Sequence, residues 1–238
     1  MASFSAKNAE SSWNKAKEKN SPIARIETRE GKTIADLKVN GISVGIDLAG
    51  VENRDTGYCC LDEDLNAETC VLHTDKEIVK EVLSDRPEII AIDAPLALPK
   101  GRKSLEVRSD VHLRECDREL LRMGIRFFPI TLGPMRKLTV RGIDLKKTLE
   151  EKNFRVVETY PGAAQDLLKM PRKKQGLERL RKALIDYGVR VDANRELTAD
   201  ELDAITCALT GKKYLEGNYL AIGDPDEGLM ILPKPRVS

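Results

Sequence analysis

The stretch that most constrains this chain is Val44-Gly45-Ile46-Asp47-Leu48-Ala49-Gly50. Ile42, Val44, Ile46 and Leu48 mark a strand buried in a core, and Gly41, Gly45 and Gly50 punctuate it. That strand carries Asp47. An ionised carboxylate in apolar surroundings is costly unless something pairs with it. A metal ion, a hydrogen-bond network or a strand end open to water would each serve. Three later stretches bring further acids: Ile92-Asp93-Ala94-Pro95, Val157-Glu158-Thr159-Tyr160-Pro161 and Asp200-Glu201-Leu202-Asp203. The expectation is that all four converge on one site.

The pattern around them is α/β. Strands are expected at 42–48, 54–61 and 68–72, joined by short polar turns as an antiparallel meander. Asp75 to Ser84 has apolar residues at helical spacing, with Asp75 suited to the cap. Ile89-Ile90-Ala91-Ile92 then forms a buried strand ending at Asp93, parallel to an earlier one because a helix intervenes. Residues 94–142 form a basic insert with a helix from about Val111 to Met123. Leu132-Gly133-Pro134 is expected to break the chain after that helix, and Asp144 to cap a helix running to Lys152. Phe154 to Glu158 is the fifth strand. Helices are then expected at about 163–168 and 177–187. Thr198-Ala199-Asp200-Glu201 is a capping box that opens a helix ending near Thr210, before Gly211. Leu220 to Leu232 reads as a hairpin. Residues 1–40 read as an N-terminal extension, either a flexible tail or a small hairpin around Gly31-Lys32.

Charge excludes little. Lys and Arg number 40 against 39 Asp and Glu, so any footprint for a polyanion must be local. The five cysteines are odd in number and have no C-x-x-C spacing, which argues against a disulfide framework or structural zinc. No apolar run reaches a membrane span or a signal core, so a cytoplasmic location is expected.

With two histidines in the chain, metal chemistry must rest on carboxylates. Asp47 and Asp93 fall at or near strand ends, and Glu158 ends the fifth strand. Asp200 and Asp203, three apart on a helix, share a face. Hard oxygen donors of this kind suit Mg²⁺ or Mn²⁺. Without a cation the cluster would repel itself, and one member would keep a proton. Each acid also has a plain structural reading, as a turn, cap or surface charge.

These residues carry a resemblance. The element order resembles the RNase H-like fold: a mixed sheet of three antiparallel strands plus parallel strands, flanked by helices. Gly45-Ile46-Asp47, Ile92-Asp93-Ala94-Pro95, Glu158-Thr159-Tyr160-Pro161 and Asp200-Glu201-Leu202-Asp203-Ala204 resemble motifs of domain of unknown function family 429, a family of predicted nucleases. Cys116-Asp117-Arg118-Glu119-Leu120 followed by Gly124-Ile125 is similar to a further motif of that family. The resemblance spans about residues 41–235. The first-strand Asp and the helix pair are also similar to RuvC-type resolvases. The resemblance implies a divalent-metal-dependent nuclease. Asp47, Asp93, Glu158 and Asp203 would be catalytic, and Asp47, Asp93, Asp203 and Asp200 would hold Mg²⁺ or Mn²⁺. Glu158 departs from the usual pattern of such nucleases, which place acids on the fourth strand and the last helix.

Arg114, Arg118, Arg122 and Arg126 recur at i, i+4 in the insert, and Lys169 to Lys182 forms a second basic run. Stripes of this kind hold phosphates, so Arg114, Arg118 and Arg122 are expected substrate contacts, with Tyr160 as a site wall. The partner would be DNA or RNA, with a homodimer possible as in junction resolvases. Two other functions fit the pattern. One is a nucleic-acid-binding module without turnover. The other is a nucleotide-dependent phosphotransferase, because Gly45 to Gly50 also resembles the phosphate strand of sugar kinases and actin-like ATPases. Those proteins duplicate the domain, which this length does not allow.

Overall fold

A computed structural model describes residues 41–236; the expected extension at 1–40 lies outside them. Seven strands form one sheet: β1 Ser43–Asp47, β2 Thr56–Leu61, β3 Ala67–Leu72, β4 Ile89–Asp93, β5 Val156–Thr159, β6 Tyr219–Ile222 and β7 Met230–Pro233. Their order is β3-β2-β1-β4-β5-β7-β6. The expected antiparallel meander β1-β2-β3 is present, and β4 lies parallel beside β1 with β5 beyond it. This is the RNase H-like arrangement of a mixed sheet flanked by helices. The tail hairpin β6-β7 extends it, because β7 adds parallel to β5.

Period-2 alternation sorts β1 onto two faces. Val44 and Ile46 join Ile90 and Ile92 of β4 on one face. They pack against Ile78 and Val82 of α1 (Asp75–Asp85) and Leu145 and Leu149 of the helix Gly133–Glu150. Each fully buried aliphatic here contributes about 1.5–3 kcal/mol. Gly45 and Asp47 face the other way, toward the helix Ala199–Leu215.

That long helix lies almost against the strands. A Cβ added at Gly45 would stand 2.0 Å from the Ala204 carbonyl oxygen, and one at Gly57 2.0 Å from that of Asp200. Only glycine permits this approach, and the approach brings Asp200 and Asp203 to the strand ends. The helix is buried from Glu201 to Gly211. It starts on the expected capping box: the Glu201 amide donates to Thr198 Oγ1 (3.2 Å) and the Thr198 amide to Glu201 Oε2 (2.9 Å). It does not stop at Gly211, where a Cβ would meet Ser43 Oγ at 2.3 Å; that glycine serves packing, not termination.

The remaining helices are α2 (Glu115–Arg122), α3 (Gly133–Glu150), α4 (Pro161–Leu167), α5 (Leu177–Tyr187) and α6 (Ala199–Leu215), with a 3-10 turn at Lys173–Gln175. Two expectations in the insert are corrected. The break expected at Leu132-Gly133-Pro134 is a helix start. Proline in the first turn lacks only an N–H that would have no partner there, and α3 runs through Asp144 as one 18-residue helix. The helix expected from Val111 begins at Glu115 instead, with Arg114 as its N-cap. Among the described residues no helix is long and apolar enough to cross a membrane.

Candidate functional site

Asp47 and Asp93 end neighbouring parallel strands and are partners in register. In a parallel pair, partners project from the same face, here the one that α6 covers. Asp203 reaches them from α6 and is buried. Asp200, one turn earlier, is about one-third exposed. The structure therefore gathers Asp47, Asp93, Asp203 and Asp200.

Lys173 sits among them. Its Nζ lies 2.7 Å from Asp203 Oδ2, 3.6 Å from Asp47 Oδ2 and 3.9 Å from Asp200 Oδ1. Gln165 of α4, also buried, fixes the other oxygen of Asp203, its Nε2 donating to Oδ1 at 2.8 Å and to Thr206 Oγ1 at 3.2 Å. Asp47 Oδ2 is buried and has no hydrogen-bond partner.

The electrostatics reflect this crowding. Burial pushes the Asp47 carboxyl up to about 7, against the pull of Lys173 and with the help of Asp203 and Asp200. Asp93 is raised well above the usual carboxylate range, by burial first and then by Asp47 and Asp203. Asp200 is raised by burial. Burial opposes the charge on Lys173, but Asp47 and Asp203 outweigh it and hold the ammonium above its ordinary value. One ammonium does not neutralise the four acids, so the cluster retains a proton.

A divalent cation fits the chemistry of the donor set: hard anionic oxygens, one of them without a hydrogen bond, on two strand ends and a helix. Among the described residues, however, no three His, Cys, Asp or Glu side chains are disposed to hold one as they stand. The Lys173 ammonium is the cation among the carboxylates.

Two other expected site residues, Glu158 and Arg114, border the cavity beside Asp93 and Asp203 but are engaged with each other. Glu158 pairs in register with Ile92, so it projects from the face opposite Asp93; its neighbour Thr159 is the residue that pairs with Asp93. Glu158 Oε2 accepts from the Leu96 amide (2.8 Å) and Arg114 Nη1 (2.6 Å), and Oε1 from Arg114 Nη2 (2.8 Å). Three of its roughly four acceptor sites are thus taken, which ties Glu158 to Arg114 and to the backbone at Leu96. Arg114 is not a phosphate contact either. It is 2% exposed, and its guanidinium also bonds Asp117 (3.0 and 3.3 Å). Arg118 and Arg122 are exposed, but both pair with Glu115, at 3.1 and 2.9 Å. Tyr160 does line the cavity beside Asp93 and Asp203. Its hydroxyl donates to the Arg126 carbonyl (2.9 Å) and accepts from Arg172 Nη1 (3.3 Å). Cys116 is buried and its thiol pushed well up, which disqualifies it as a nucleophile.

Lys173 and Gln165 were not singled out from sequence. Lys173 sits in a run of bases with nothing local to distinguish it, and Gln165 lies in a helix with no motif of its own. Thr159 was reachable, because strand alternation places it, not Glu158, on the face of Asp93 if that register holds.

Fold and site together define an α/β domain of RNase H-like architecture with acids clustered at the ends of adjacent parallel strands. A family model described as "Protein of unknown function (DUF429)" matches residues 45–228, and the chain belongs to that family. Two solved structures from Thermus thermophilus are similar to it: RuvC in complex with Holliday junction substrate, at 15% identity and TM-score 0.45, and a further RuvC structure, at 14% and 0.44. Each alignment covers 74% of this chain and 96% of the other. No curated protein matches.

Proposed function

We propose that this protein hydrolyses phosphodiester bonds of nucleic acid with the help of a divalent cation. The observation that carries the reading is the convergence of Asp47, Asp93 and Asp203, with Asp47 Oδ2 lacking a hydrogen bond and facing the Lys173 ammonium at 3.6 Å. These three would hold Mg²⁺ or Mn²⁺, with Asp200 at the margin. A bound divalent cation supplies Lewis-acid activation of water and neutralises charge on the phosphate.

The protein's own groups have separate tasks. Gln165 holds Oδ1 of Asp203, which leaves Oδ2 to meet the Lys173 ammonium. Lys173 belongs to a short exposed turn and occupies the cluster through a flexible stem. With a cation held by the carboxylates, the Lys173 ammonium would be available to hold a phosphate oxygen. Burial of Asp47 and Asp93 favours a proton on the cluster, which a bound cation would displace. Single strands, duplexes, hybrids and four-way junctions, incubated with Mg²⁺, Mn²⁺ or EDTA, test the reading. Cleavage requires the metal and disappears in Asp47→Asn and Asp203→Asn.

The position of Lys173 favours a second reading, a binding module in which the ammonium permanently replaces a metal. In that case nucleic acid binds equally well in EDTA and in Asp47→Asn, and no substrate is cut.

A further inference from the structure

Beside the carboxylates lies a cavity of about 330 Å³, near the lower end of the ~300–1,000 Å³ range of small-molecule sites. Asp93 and Asp203 border it on one side, and Phe127, Phe128, Ile130 and Tyr160 supply an apolar and aromatic wall. Lys173 lines this cavity and also a polar cleft of about 500 Å³ bordered by Asp47, Asn53, Arg54 and Asp200. The pocket thus joins an aromatic wall to a charged lining that also includes Arg114, Glu158 and Arg172, and Lys173 borders both it and the polar cleft.

Two side chains of the pocket are left unsatisfied by the protein itself. Phe128 is 65% exposed although it is a large apolar ring. Thr159 is 1% exposed, and its hydroxyl has no hydrogen-bond partner. A buried hydroxyl left in this state costs free energy that a ligand would recover. Thr159 also stands in register beside Asp93, so a group bonded to it lies next to the acidic cluster.

We propose that this cavity receives one unstacked nucleobase of the substrate, with its ring against Phe128 and Tyr160 and an edge group bonded to Thr159 Oγ1. The adjoining phosphate lies at Lys173, and the chain continues along the polar cleft past Asn53 and Arg54. The inference rests on the nuclease reading and narrows it: the substrate carries an unpaired or easily extruded nucleotide at the reacting phosphate. A fully stacked duplex presents no base to such a pocket, whereas a single strand or bulge presents one without unpairing. Aromatic stacking accepts any base, so the pocket selects for strand state more than for sequence.

The test uses the full chain and a duplex with one bulged 2-aminopurine, the same duplex with an abasic bulge, and a fully paired control, in EDTA and in Ca²⁺. The expected result is about tenfold tighter binding of the bulged base than of the abasic bulge in at least one condition, with a change in 2-aminopurine emission. Phe128→Ala and the near-isosteric Thr159→Val each reduce that preference. Equal affinity for base and abasic bulges in both conditions overturns the proposal, as does unchanged emission on binding. Cleavage is scored separately. Metal-dependent cutting without base preference removes the pocket and leaves the nuclease. Base preference without cutting of any substrate removes the nuclease and leaves the pocket.

Discussion

Arg114→Met tests the reassignment of the insert's first arginine. The wild-type guanidinium, 2% exposed, makes two bonds to Glu158 (2.6 and 2.8 Å) and two to Asp117 (3.0 and 3.3 Å). Methionine fills much of the stem's volume but leaves two buried carboxylates facing each other without a counter-ion. Removing one partner of a buried ion pair costs about 3–5 kcal/mol, because the remaining charge is left uncompensated. For a protein of this size, each kcal/mol lowers Tm by about 2–4 °C, so a drop of roughly 6–20 °C is expected. Urea unfolding followed by circular dichroism measures the free energy directly. Adding Glu158→Gln to Arg114→Met should recover part of the loss, because it removes one orphaned charge. A loss below about 1 kcal/mol, together with weaker nucleic-acid binding by a folded variant, would refute the reasoning and return Arg114 to the substrate surface.

Asp47→Asn should stabilise the metal-free protein while abolishing cleavage. The folded carboxyl titrates near 7 against an ordinary 3.8, so the buried charge penalises folding increasingly as pH rises from about 4 to 7 and fully above 7. The ceiling is about 4 kcal/mol, and the gain over wild type, measured in EDTA, should be near zero at pH 4 and largest at pH 8; equal gains at both would contradict it. Gly45→Ala should cost more than the ~1–3 kcal/mol typical of overpacking, because the new methyl overlaps the backbone of α6 at Ala204, where no side chain can swing away; chemical denaturation would show it, and a neutral result would deny the close approach. Burial holds the Cys60 thiol up at about 12 from 9.0, so its contribution is present below pH 9 and lost as the unfolded chain ionises above it. Replacing Cys60 with Ala should therefore recover about 1.4 kcal/mol of the stability lost between pH 8 and pH 10, and an unchanged alkaline slope would count against it.

Local chemistry made much of the fold legible. Hydrophobic alternation in Ile42 to Leu48 and Ile89 to Ile92, the capping box at Thr198 and Glu201, and the turn residues between β1, β2 and β3 each act over a few neighbours. The mixed sheet followed from them, as did the placing of Asp47 and Asp93 at strand ends. Signals with two meanings misled. Pro134 reads equally as a breaker or a first-turn residue, and Gly211 as a stop or a close contact; the packing partner decides, and it lies far away in sequence.

The site divides along the same line. Sequence by itself determined that acids stand on buried strands and on one helix face, because side-chain chemistry and local periodicity are properties of the chain. Only tertiary structure decided which of them meet. Register sends Glu158 to the opposite face and Thr159 toward Asp93, since one residue along a strand reverses direction. Burial turns Arg114 from a candidate phosphate ligand into an internal counter-ion, because it is 2% exposed and four of its five N–H donors are spent on two carboxylates. Lys173 becomes a site residue only because the turn after α4 folds back over the ends of β1 and β4. No local pattern in a run of basic residues distinguishes the one that will meet three carboxylates there.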